Sequence, residues 1–379
     1  MTKKPMGLYI HIPFCNKKCD YCDFVSYSMD TLAQQDYLGA LFAEIDMVKK
    51  DFFDETFDTI YIGGGTPSVV YEGFIASLVR KLFSSFHIAR DYEFTIEVNP
   101  ASFSEEKFFE YVEAGVNRIS VGVQSINPGL LKVHGRNQSL SDVDKTFKIL
   151  SNARFRNVSA DVMIGLPKQS KKDIVDTVNY LIKQNVQHLS VYNLQIEKGT
   201  VTENKIRKQE LKPVYEKKAL KQYNEVYNLL RDNGYSRYEL SNFARPAFKS
   251  RHNSKYWDNT EFLGLGVSAY SYVGNYRYYN TKRLDTYIEK INEGKLPRFE
   301  KQYISIKERR TERIMLSLRT VEGLDLEAFK QEFNEDLLQS KKHEINVMIK
   351  EGMVEIVDNF LRVTEKHFYI TNSIIVELM

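Results

Sequence analysis

Cysteine is scarce in this chain of 379 residues, and its three cysteines, Cys15, Cys19 and Cys22, lie within eight consecutive positions. An odd number of thiols confined to one segment argues against a disulfide framework. No apolar run reaches the roughly 18 residues that a membrane-spanning helix requires. The first six residues are polar and basic and lack the apolar core of a signal peptide. We therefore expect a cytoplasmic location.

A strong excess of charge of either sign is also missing. The 53 basic side chains nearly balance 50 acidic ones, which leaves a net charge of +3. Such a surface does not favour binding to a polyanion, so we expect no nucleic-acid partner. The apolar fraction of 42% and the charged fraction of 27% are typical of a globular protein.

Short β-rich runs alternate with longer helical patterns through the first half of the chain. Strands are predicted at residues 8–12, 59–62, 94–98, 118–123, 158–164 and 188–194, and helices near residues 31–50, 72–85, 104–114, 140–151 and 171–184. This alternation is typical of βαβ units with a parallel sheet. Six units predict an α/β fold, a partial (β/α)6 barrel of the TIM type, with its chemistry at the C-terminal ends of the strands.

The rhythm changes after this region, and we divide the chain into three parts. Residues 1–200 form the predicted barrel. Residues 201–300 form an extension that is helical near 205–233 and aromatic-rich and irregular near 235–279. Residues 301–379 form a smaller α+β unit with a winged-helix-like end, in which we expect short strands at 353–364 and 367–370.

The spacing C-x3-C-x2-C indicates a metal centre rather than thiols that pack in a core. A structural zinc site takes four protein ligands, and no fourth cysteine exists, although His11 lies close enough in sequence to supply a nitrogen. A 4Fe-4S cluster needs only three thiolates if its fourth iron binds a small molecule. We favour the cluster and keep zinc as the alternative.

Several other candidate residues stand where predicted strands end. The second strand runs into Gly63-Gly64-Gly65-Thr66-Pro67, whose glycines let a ligand approach the backbone closely, although a tight structural turn would explain them equally well. Further polar side chains in or after apolar strands are Glu97, Gln124, Asp161 and, in a following loop, Arg136. One alone would be a satisfied structural group, but together at one barrel mouth they indicate ligand contacts.

The segment Tyr9-Ile10-His11-Ile12-Pro13-Phe14-Cys15, followed by Cys19 and Cys22, resembles the radical S-adenosylmethionine (SAM) superfamily. The resemblance is to the branch that contains oxygen-independent coproporphyrinogen III oxidases and their haem-chaperone paralogues, and it is close over residues 5–200. It implies that the three cysteines hold a 4Fe-4S cluster whose open iron SAM chelates. It also implies SAM-binding roles for Tyr9, Tyr21, Gly64, Gly65, Thr66, Glu97, Gln124, Arg136 and Asp161.

Two features distinguish the paralogues. The oxidase has a further cysteine two residues after the third, where this chain has Phe24, and only the chaperone carries the motif that His252-Asn253-Ser254-Lys255-Tyr256-Trp257 resembles. The resemblance therefore favours a chaperone that binds haem near His252, tightly or covalently, and delivers it to membrane respiratory haem proteins. The structural alternative is that His252 and Asn253 cap a turn while Tyr256 and Trp257 pack a domain junction.

Two other functions remain open from the sequence. One is an oxidase that uses a radical derived from SAM to decarboxylate propionate side chains of coproporphyrinogen. The other is a purely structural iron–sulfur or zinc protein, which would not explain the polar set at the strand ends. The resemblance leaves undecided whether the protein is an enzyme, admits a homodimer, and implies transient peripheral association with the membrane that holds the acceptors.

Overall fold

The structure is a computed structural model that describes residues 4–28 and 30–379. Residues 1–3 of the N-terminal stretch considered above for a signal peptide lie outside the described residues. The strands are β1 (Met6–Ile12), β2 (Thr56–Gly64), β3 (His87–Val98), β4 (Arg118–Gln124), β5 (Val158–Ile164), β6 (His188–Asn193), β7 (Ser236–Arg237), β8 (Asn242–Ala244), β9 (Phe262–Leu265), β10 (Tyr270–Val273), β11 (Tyr276–Asn280), β12 (Arg298–Tyr303), β13 (Leu324–Asp325), β14 (Val354–Val357) and β15 (Phe360–Val363).

The helices cover the outer face of the barrel strands and build most of the C-terminal unit. They are α1 (Thr31–Val48), α2 (Phe74–Ser85), α3 (Glu105–Glu113), α4 (Pro128–Val133), α5 (Leu140–Asn152), α6 (Lys171–Lys183), α7 (Val201–Arg207), α8 (Glu216–Asp232), α9 (Arg251–Trp257), α10 (Leu284–Asn292), α11 (Ile306–Ser317), α12 (Leu326–Phe333), α13 (Leu337–Ser340), α14 (Lys342–Lys350) and α15 (Thr371–Leu378). Short 3-10 helices lie at Lys49–Phe52, Pro67–Val69, Pro100–Ser102 and Glu365–Ile370.

The strands β1 to β6 are neighbours in chain order, and every adjacent pair among them is parallel. The sheet does not close, because it continues past β1 to the edge strand β12 and past β6 to the edge strand β7. The predicted partial (β/α)6 barrel is therefore confirmed. The predicted C-terminal ends of the six strands differ from the observed ends by at most two residues. The loops that follow the strands are therefore placed as expected.

Strict alternation along the parallel strands gives the barrel two different faces. In β5, Val158 and Val162 belong to the main hydrophobic core beneath the helices, whereas Ser159 and Asp161 point the other way and make polar contacts. Equivalent inward positions of the other strands are also polar. We call this polar interior the lumen, and its polar side chains are Tyr9, His11, Thr59, Tyr61, Glu93, Thr95, Glu97, Arg118, Ser120, Ser159, Asp161, His188, Ser190 and Tyr192.

The region expected to be irregular instead extends the sheet. The strand β9 pairs in parallel with β1, and β10, β11 and β12 follow it as an antiparallel ribbon. The turn between β10 and β11 places Gly274 and Asn275 at positive φ, 58° and 63°. Two such residues are the signature of a two-residue hairpin, and the tyrosines on either side suit strands. The Gly274-Asn275 pair between tyrosine-rich segments was therefore a signal in the sequence for this hairpin.

The C-terminal unit has its own hydrophobic core, which includes Ile314, Phe329 and Leu361. Its sheet has the order β13-β15-β14, so the predicted small α+β unit is confirmed. The segment 353–364 forms a hairpin that turns at Asp358 and Asn359, both at positive φ. The strand predicted at 367–370 is wrong, because this segment is a 3-10 helix that buries Phe368 in the same core.

The helices in the described part of the chain include none that is both long enough and apolar enough to cross a bilayer.

A buried carboxylate ties the barrel to its extension. Glu44 of α1 is 2% exposed, and it accepts hydrogen bonds from the Gly266 backbone N–H at 2.8 Å, from Asn280 Nδ2 at 2.6 Å and from Tyr287 Oη at 2.6 Å. Gly266 follows β9, Asn280 ends β11, and Tyr287 lies in α10. Three donors satisfy the carboxylate, which offsets much of the cost of burying it.

Replacement of this carboxylate should destabilise the fold. Glu44→Ala leaves the three donors without an acceptor in a closed interior, so we expect the free energy of unfolding to fall by roughly 3–5 kcal/mol. Urea denaturation followed by circular dichroism measures the change. The control is Glu113→Ala, an exposed position at the end of α3, which should keep the wild-type midpoint. Equal midpoints for the two variants would contradict this role.

Candidate functional site

The loop after β1 presents Cys15, Cys19 and Cys22 together at the C-terminal mouth of the lumen. All three thiols are free and half-buried. The Cys22 N–H donates to the Cys19 carbonyl at 3.1 Å, and the Cys15 N–H donates to the Tyr27 carbonyl at 3.0 Å. The backbone of the loop therefore fixes the arrangement of the thiols without any bond between the sulfur atoms.

A cavity of about 450 Å³ opens at the same mouth. Most of the residues predicted for the site line it, namely Cys15, Cys19, Tyr21, Cys22, Gly64, Gly65, Thr66, Glu97, Gln124, Arg136 and Asp161. Phe24 lines the cavity as well. Wall residues that were not predicted are Lys17 and Lys18 of the cysteine loop and residues 192–195 at the end of β6. A signal for the last group existed, because this segment also follows a barrel strand.

The glycine run fits closely against the cysteine loop. The Gly65 N–H donates to the Ile12 carbonyl at 2.8 Å, and the Thr66 N–H donates to the Phe14 carbonyl at 2.7 Å. A Cβ atom on Gly65 would lie 2.7 Å from the Phe14 carbonyl oxygen, so no larger residue fits there without a backbone shift. Thr66 Oγ1 lies 3.4 Å from Cys15 Sγ. The run therefore positions the first cysteine as well as lining the cavity.

Glu97 ends β3 with its carboxylate in the cavity wall. Its Oε1 accepts from Tyr61 Oη at 2.7 Å, and its Oε2 accepts from the Gly64 N–H at 3.2 Å. Burial, and to a smaller extent the charge of Asp161, raises the pKa of Glu97 to about 7, while the hydrogen bonds from Tyr61 and the Gly64 N–H oppose the shift. This carboxyl group therefore changes its charge near neutral pH.

Asp161 and Arg136 place opposite charges in the same cavity. Burial raises the pKa of Asp161 to about 6, although Ser190 and Ser120 stabilise its charged form by hydrogen bonding. The Arg136 guanidinium donates to the Gly122 carbonyl and to Gln138 Oε1, and its Nη1 lies 3.8 Å from Cys19 Sγ. The arginine therefore links the cysteine loop to the end of β4.

Gln124 has a backbone conformation that is unusual for its residue type. It ends β4 with φ at 64°, in the left-handed region that residues other than glycine seldom adopt. Its side chain lines the cavity. Backbone strain of this kind is often found at ligand sites, where the surrounding structure enforces it.

Tyr9 does not line the cavity with the other predicted residues. It lies deeper in the lumen, where its hydroxyl is 3.1 Å from His11 Nδ1. His11 Nε2 lies 3.1 Å from the Val25 carbonyl oxygen. Because a carbonyl oxygen can only accept, Nε2 carries the proton, and Nδ1 accepts a hydrogen bond from the Tyr9 hydroxyl. A direct contact between Tyr9 and SAM stays a prediction.

His252 lies at the opposite end of the lumen from the cysteines. Its ring is 1% exposed, with Nδ1 at 2.9 Å from Thr59 Oγ1 and Nε2 at 2.9 Å from Tyr256 Oη. Burial lowers its pKa to about 3, so the ring is neutral at pH 7. Both nitrogens are engaged, and haem ligation by His252 would require α9 to move away from the barrel.

The residues of the cysteine loop fit a 4Fe-4S cluster better than a zinc ion. Both ring nitrogens of His11 are hydrogen-bonded, so this side chain is not available as a fourth zinc ligand. Within residues 4–28 and 30–379, no three Cys, His, Asp or Glu side chains are grouped closely enough to hold a single metal ion. Three cysteine thiolates are the protein ligands that a 4Fe-4S cluster with one open iron needs, whereas a structural zinc site takes four.

Comparison with protein families agrees with this site. Residues 9–181 match the family model described as the radical SAM superfamily, and residues 304–369 match the model described as the HemN C-terminal domain. The structure of coproporphyrinogen III oxidase (HemN) from Escherichia coli is similar with a TM-score of 0.87 and 25% identity, over 99% of this chain and 90% of that chain. Fold and site thus define a radical SAM protein.

Sequence relatives narrow the family further. Proteins named heme chaperone HemW are 32% identical in Lactococcus lactis, over 99% of this chain and 97% of the relative, and 34% identical in Bacillus subtilis, over 87% of each. The HemW of Escherichia coli is 35% identical over 71% of this chain and 70% of the relative. The chain belongs to the HemW family of the radical SAM superfamily.

An ion pair anchors the cysteine loop to the element that follows β6. Lys205 Nζ of α7 lies 2.6 Å from Asp20 Oδ2, and the Thr202 N–H donates to the Asp20 carbonyl at 2.9 Å. The Asp20 N–H in turn donates to the His134 carbonyl at 3.0 Å. The side chain of Asp20 is mostly buried. Asp20 therefore holds the middle of the loop between two neighbouring segments.

Removal of the lysine should loosen the cysteine loop. In Lys205→Met the loop opens more often, so a chelator should remove iron from the reconstituted protein about fivefold faster, the factor that corresponds to a pair contributing about 1 kcal/mol. The control is Lys172→Met, which removes an exposed ion pair with Asp176 on α6. Identical rates of iron loss in the two variants would show that the Lys205 pair does not hold the loop.

Proposed function

We propose that this protein is a haem chaperone that binds SAM at a 4Fe-4S cluster and delivers haem to respiratory haem proteins. One observation carries the proposal, the similarity to a protein named heme chaperone HemW over 99% of this chain. The similarity includes the C-terminal parts of both proteins, so it is not limited to the barrel that radical SAM proteins share.

The charges of the cavity support SAM as its ligand. SAM carries a carboxylate, an ammonium group and a sulfonium group. Among the charged residues that line the cavity, the buried Glu97 and Asp161 carboxyl groups and the Arg136 guanidinium complement these three charges. Cys15, Cys19 and Cys22 would hold the cluster, which supplies an open iron for SAM and an electron when it is reduced.

The rim of the cavity offers an apolar contact for a porphyrin. Phe24 is 61% exposed although it lines the cavity, and it stands where the resemblance to the oxidase would place a cysteine. Lys17 and Lys18 line the same wall, where they are available to the carboxylates of a porphyrin. The rim is therefore a second candidate haem contact besides His252, which reaches haem only if α9 leaves the barrel.

Coproporphyrinogen oxidation is the second candidate function, because the TM-score of 0.87 to the oxidase shows the same overall fold. The end-to-end similarity to HemW and the presence of Phe24 favour the chaperone. The proposal also includes respiratory haem proteins of the membrane as acceptors, a transient peripheral contact with that membrane, and a homodimer.

A haem titration tests the proposal. Cluster-reconstituted protein is titrated anaerobically with haem and followed by visible absorbance, and we expect saturation at about one haem per chain. Because an imidazole ligand shapes the haem spectrum, His252→Ala should abolish or alter the signal if α9 releases this ring. The control is His343→Ala, an exposed histidine of α14, which should titrate like the wild type.

Phe24→Ser distinguishes the two haem contacts. Weaker haem binding in this variant, with a wild-type titration in His252→Ala, would place haem at the cavity rim and refute the His252 site. Binding that does not saturate in the wild type would refute the chaperone. Release of carbon dioxide from coproporphyrinogen with SAM and a reductant would then establish the oxidase.

A further inference from the structure

The N-terminal end of the lumen is closed by the helix α9. The Glu93 carboxylate accepts hydrogen bonds from the first N–H groups of this helix, from Arg251 at 2.9 Å and from His252 at 2.9 Å. Lys255 of the same helix pairs with Asp58 at 2.7 Å. These bonds hold α9 against β2 and β3. We call the His252 and Tyr256 side chains, which point into the lumen, the floor.

The floor packs directly against one tyrosine of β2. The ring of His252 lies over the ring of Tyr61, with 5.2 Å between their centroids and 31° between their planes. Thr59, two residues earlier on the same strand, accepts or donates the hydrogen bond to His252 Nδ1. The ring of Tyr9 stacks on Tyr61 as well, with 6.1 Å between centroids, so His252 and Tyr9 together hold the Tyr61 ring.

The other end of Tyr61 reaches the cavity. Its hydroxyl donates to Glu97 Oε1 at 2.7 Å, and Glu97 is one of the two carboxyl groups assigned to SAM. Little free space surrounds this contact, because a Cβ atom on Gly63 would lie 2.8 Å from both Glu97 Cδ and Tyr61 Cε1. A single side chain thus connects the floor to the proposed ligand.

We propose that Tyr61 is a positioning residue that couples the His252 floor to SAM binding through Glu97. The ring of His252 fixes the Tyr61 ring, and the Tyr61 hydroxyl fixes the Glu97 carboxylate. The inference rests on the proposed binding of SAM and goes beyond it, because it gives His252 a role at the far end of the barrel from the cysteines.

The coupling has a consequence for haem. If His252 binds haem iron, its ring must leave the floor, because it is 1% exposed there and haem cannot reach it. Tyr61 then loses one of its ring contacts while the stacked ring of Tyr9 remains, and SAM binds more weakly. Haem ligation at His252 and SAM binding at the cluster would oppose each other, and by thermodynamic linkage the effect is reciprocal.

SAM affinity in Tyr61→Phe tests the inference. The variant keeps the ring and removes only the hydroxyl, so the SAM dissociation constant of the cluster-reconstituted protein should rise roughly tenfold, the factor expected for one hydrogen bond to a charged acceptor. Equilibrium dialysis measures it. The control is Tyr111→Phe, which removes the hydroxyl of another buried tyrosine, on α3, and should leave the constant unchanged.

The pH dependence separates positioning from a general structural defect. Glu97 is surrounded by Tyr61, Tyr9, Tyr192, Tyr256, Asp161 and the Gly64 N–H. Because the Tyr61 hydroxyl stabilises ionised Glu97, its loss raises the Glu97 pKa. The midpoint at which SAM affinity rises with pH should therefore move upward in Tyr61→Phe. A structural defect would weaken binding equally at every pH.

A double-mutant cycle tests the floor. His252→Ala should weaken SAM binding about threefold in the wild-type background and much less in Tyr61→Phe, because the contact that transmits the change is already absent. Tyr256→Phe is a milder second variant that removes one bond of His252. Additive effects, or a wild-type constant in Tyr61→Phe, would overturn the coupling alone. A wild-type protein that binds no SAM would overturn the proposed function and the coupling with it.

Discussion

Burial of polar side chains inside an open parallel barrel is the constraint on which this structure depends. Alternate residues of the six parallel strands pack beneath the helices, and the others fill the lumen with hydroxyls, carboxyls and imidazoles. An unpartnered group there would cost about 1–3 kcal/mol, so most of these groups have a polar partner. Tyr61 bonds Glu97, Ser159 bonds His188, and Thr59 bonds His252. Thr95 Oγ1 is an exception that has no partner among the described residues. The lumen carries the site at one end and α9 at the other.

The two ends of the lumen carry different groups of residues. At the C-terminal end the cysteine loop is fixed by the glycine run after β2 and by the Asp20–Lys205 pair, and these contacts place three thiols beside two carboxyl groups and a guanidinium. At the N-terminal end α9 closes the barrel with His252. The resemblance in sequence implies the first arrangement for both the oxidase and the chaperone. Phe24 and the motif on α9 are the features of this chain that favour the chaperone.

Much of this organisation could be predicted from local patterns. The strand at residues 158–164 was predicted with its observed bounds. Glu97, near the end of β3, and Asp161, within β5, reach one cavity because alternate residues of neighbouring parallel strands face the same lumen. The surroundings of His252 could not be predicted, since its partner Thr59 is 193 residues away. Tyr61 was also missed, although its polar position within an apolar strand was a signal. The strand predicted at 367–370 failed because tertiary burial of Phe368 overrode a weak local preference.

Transfer of haem to an acceptor tests the central claim most directly. Protein loaded with haem is mixed with increasing amounts of a haem-free respiratory membrane protein, and the rate of transfer is compared with passive loss of haem to excess apomyoglobin. A chaperone that hands haem over in a complex predicts a rate that rises with acceptor concentration and exceeds the passive rate. A rate equal to passive loss at every acceptor concentration would contradict the account.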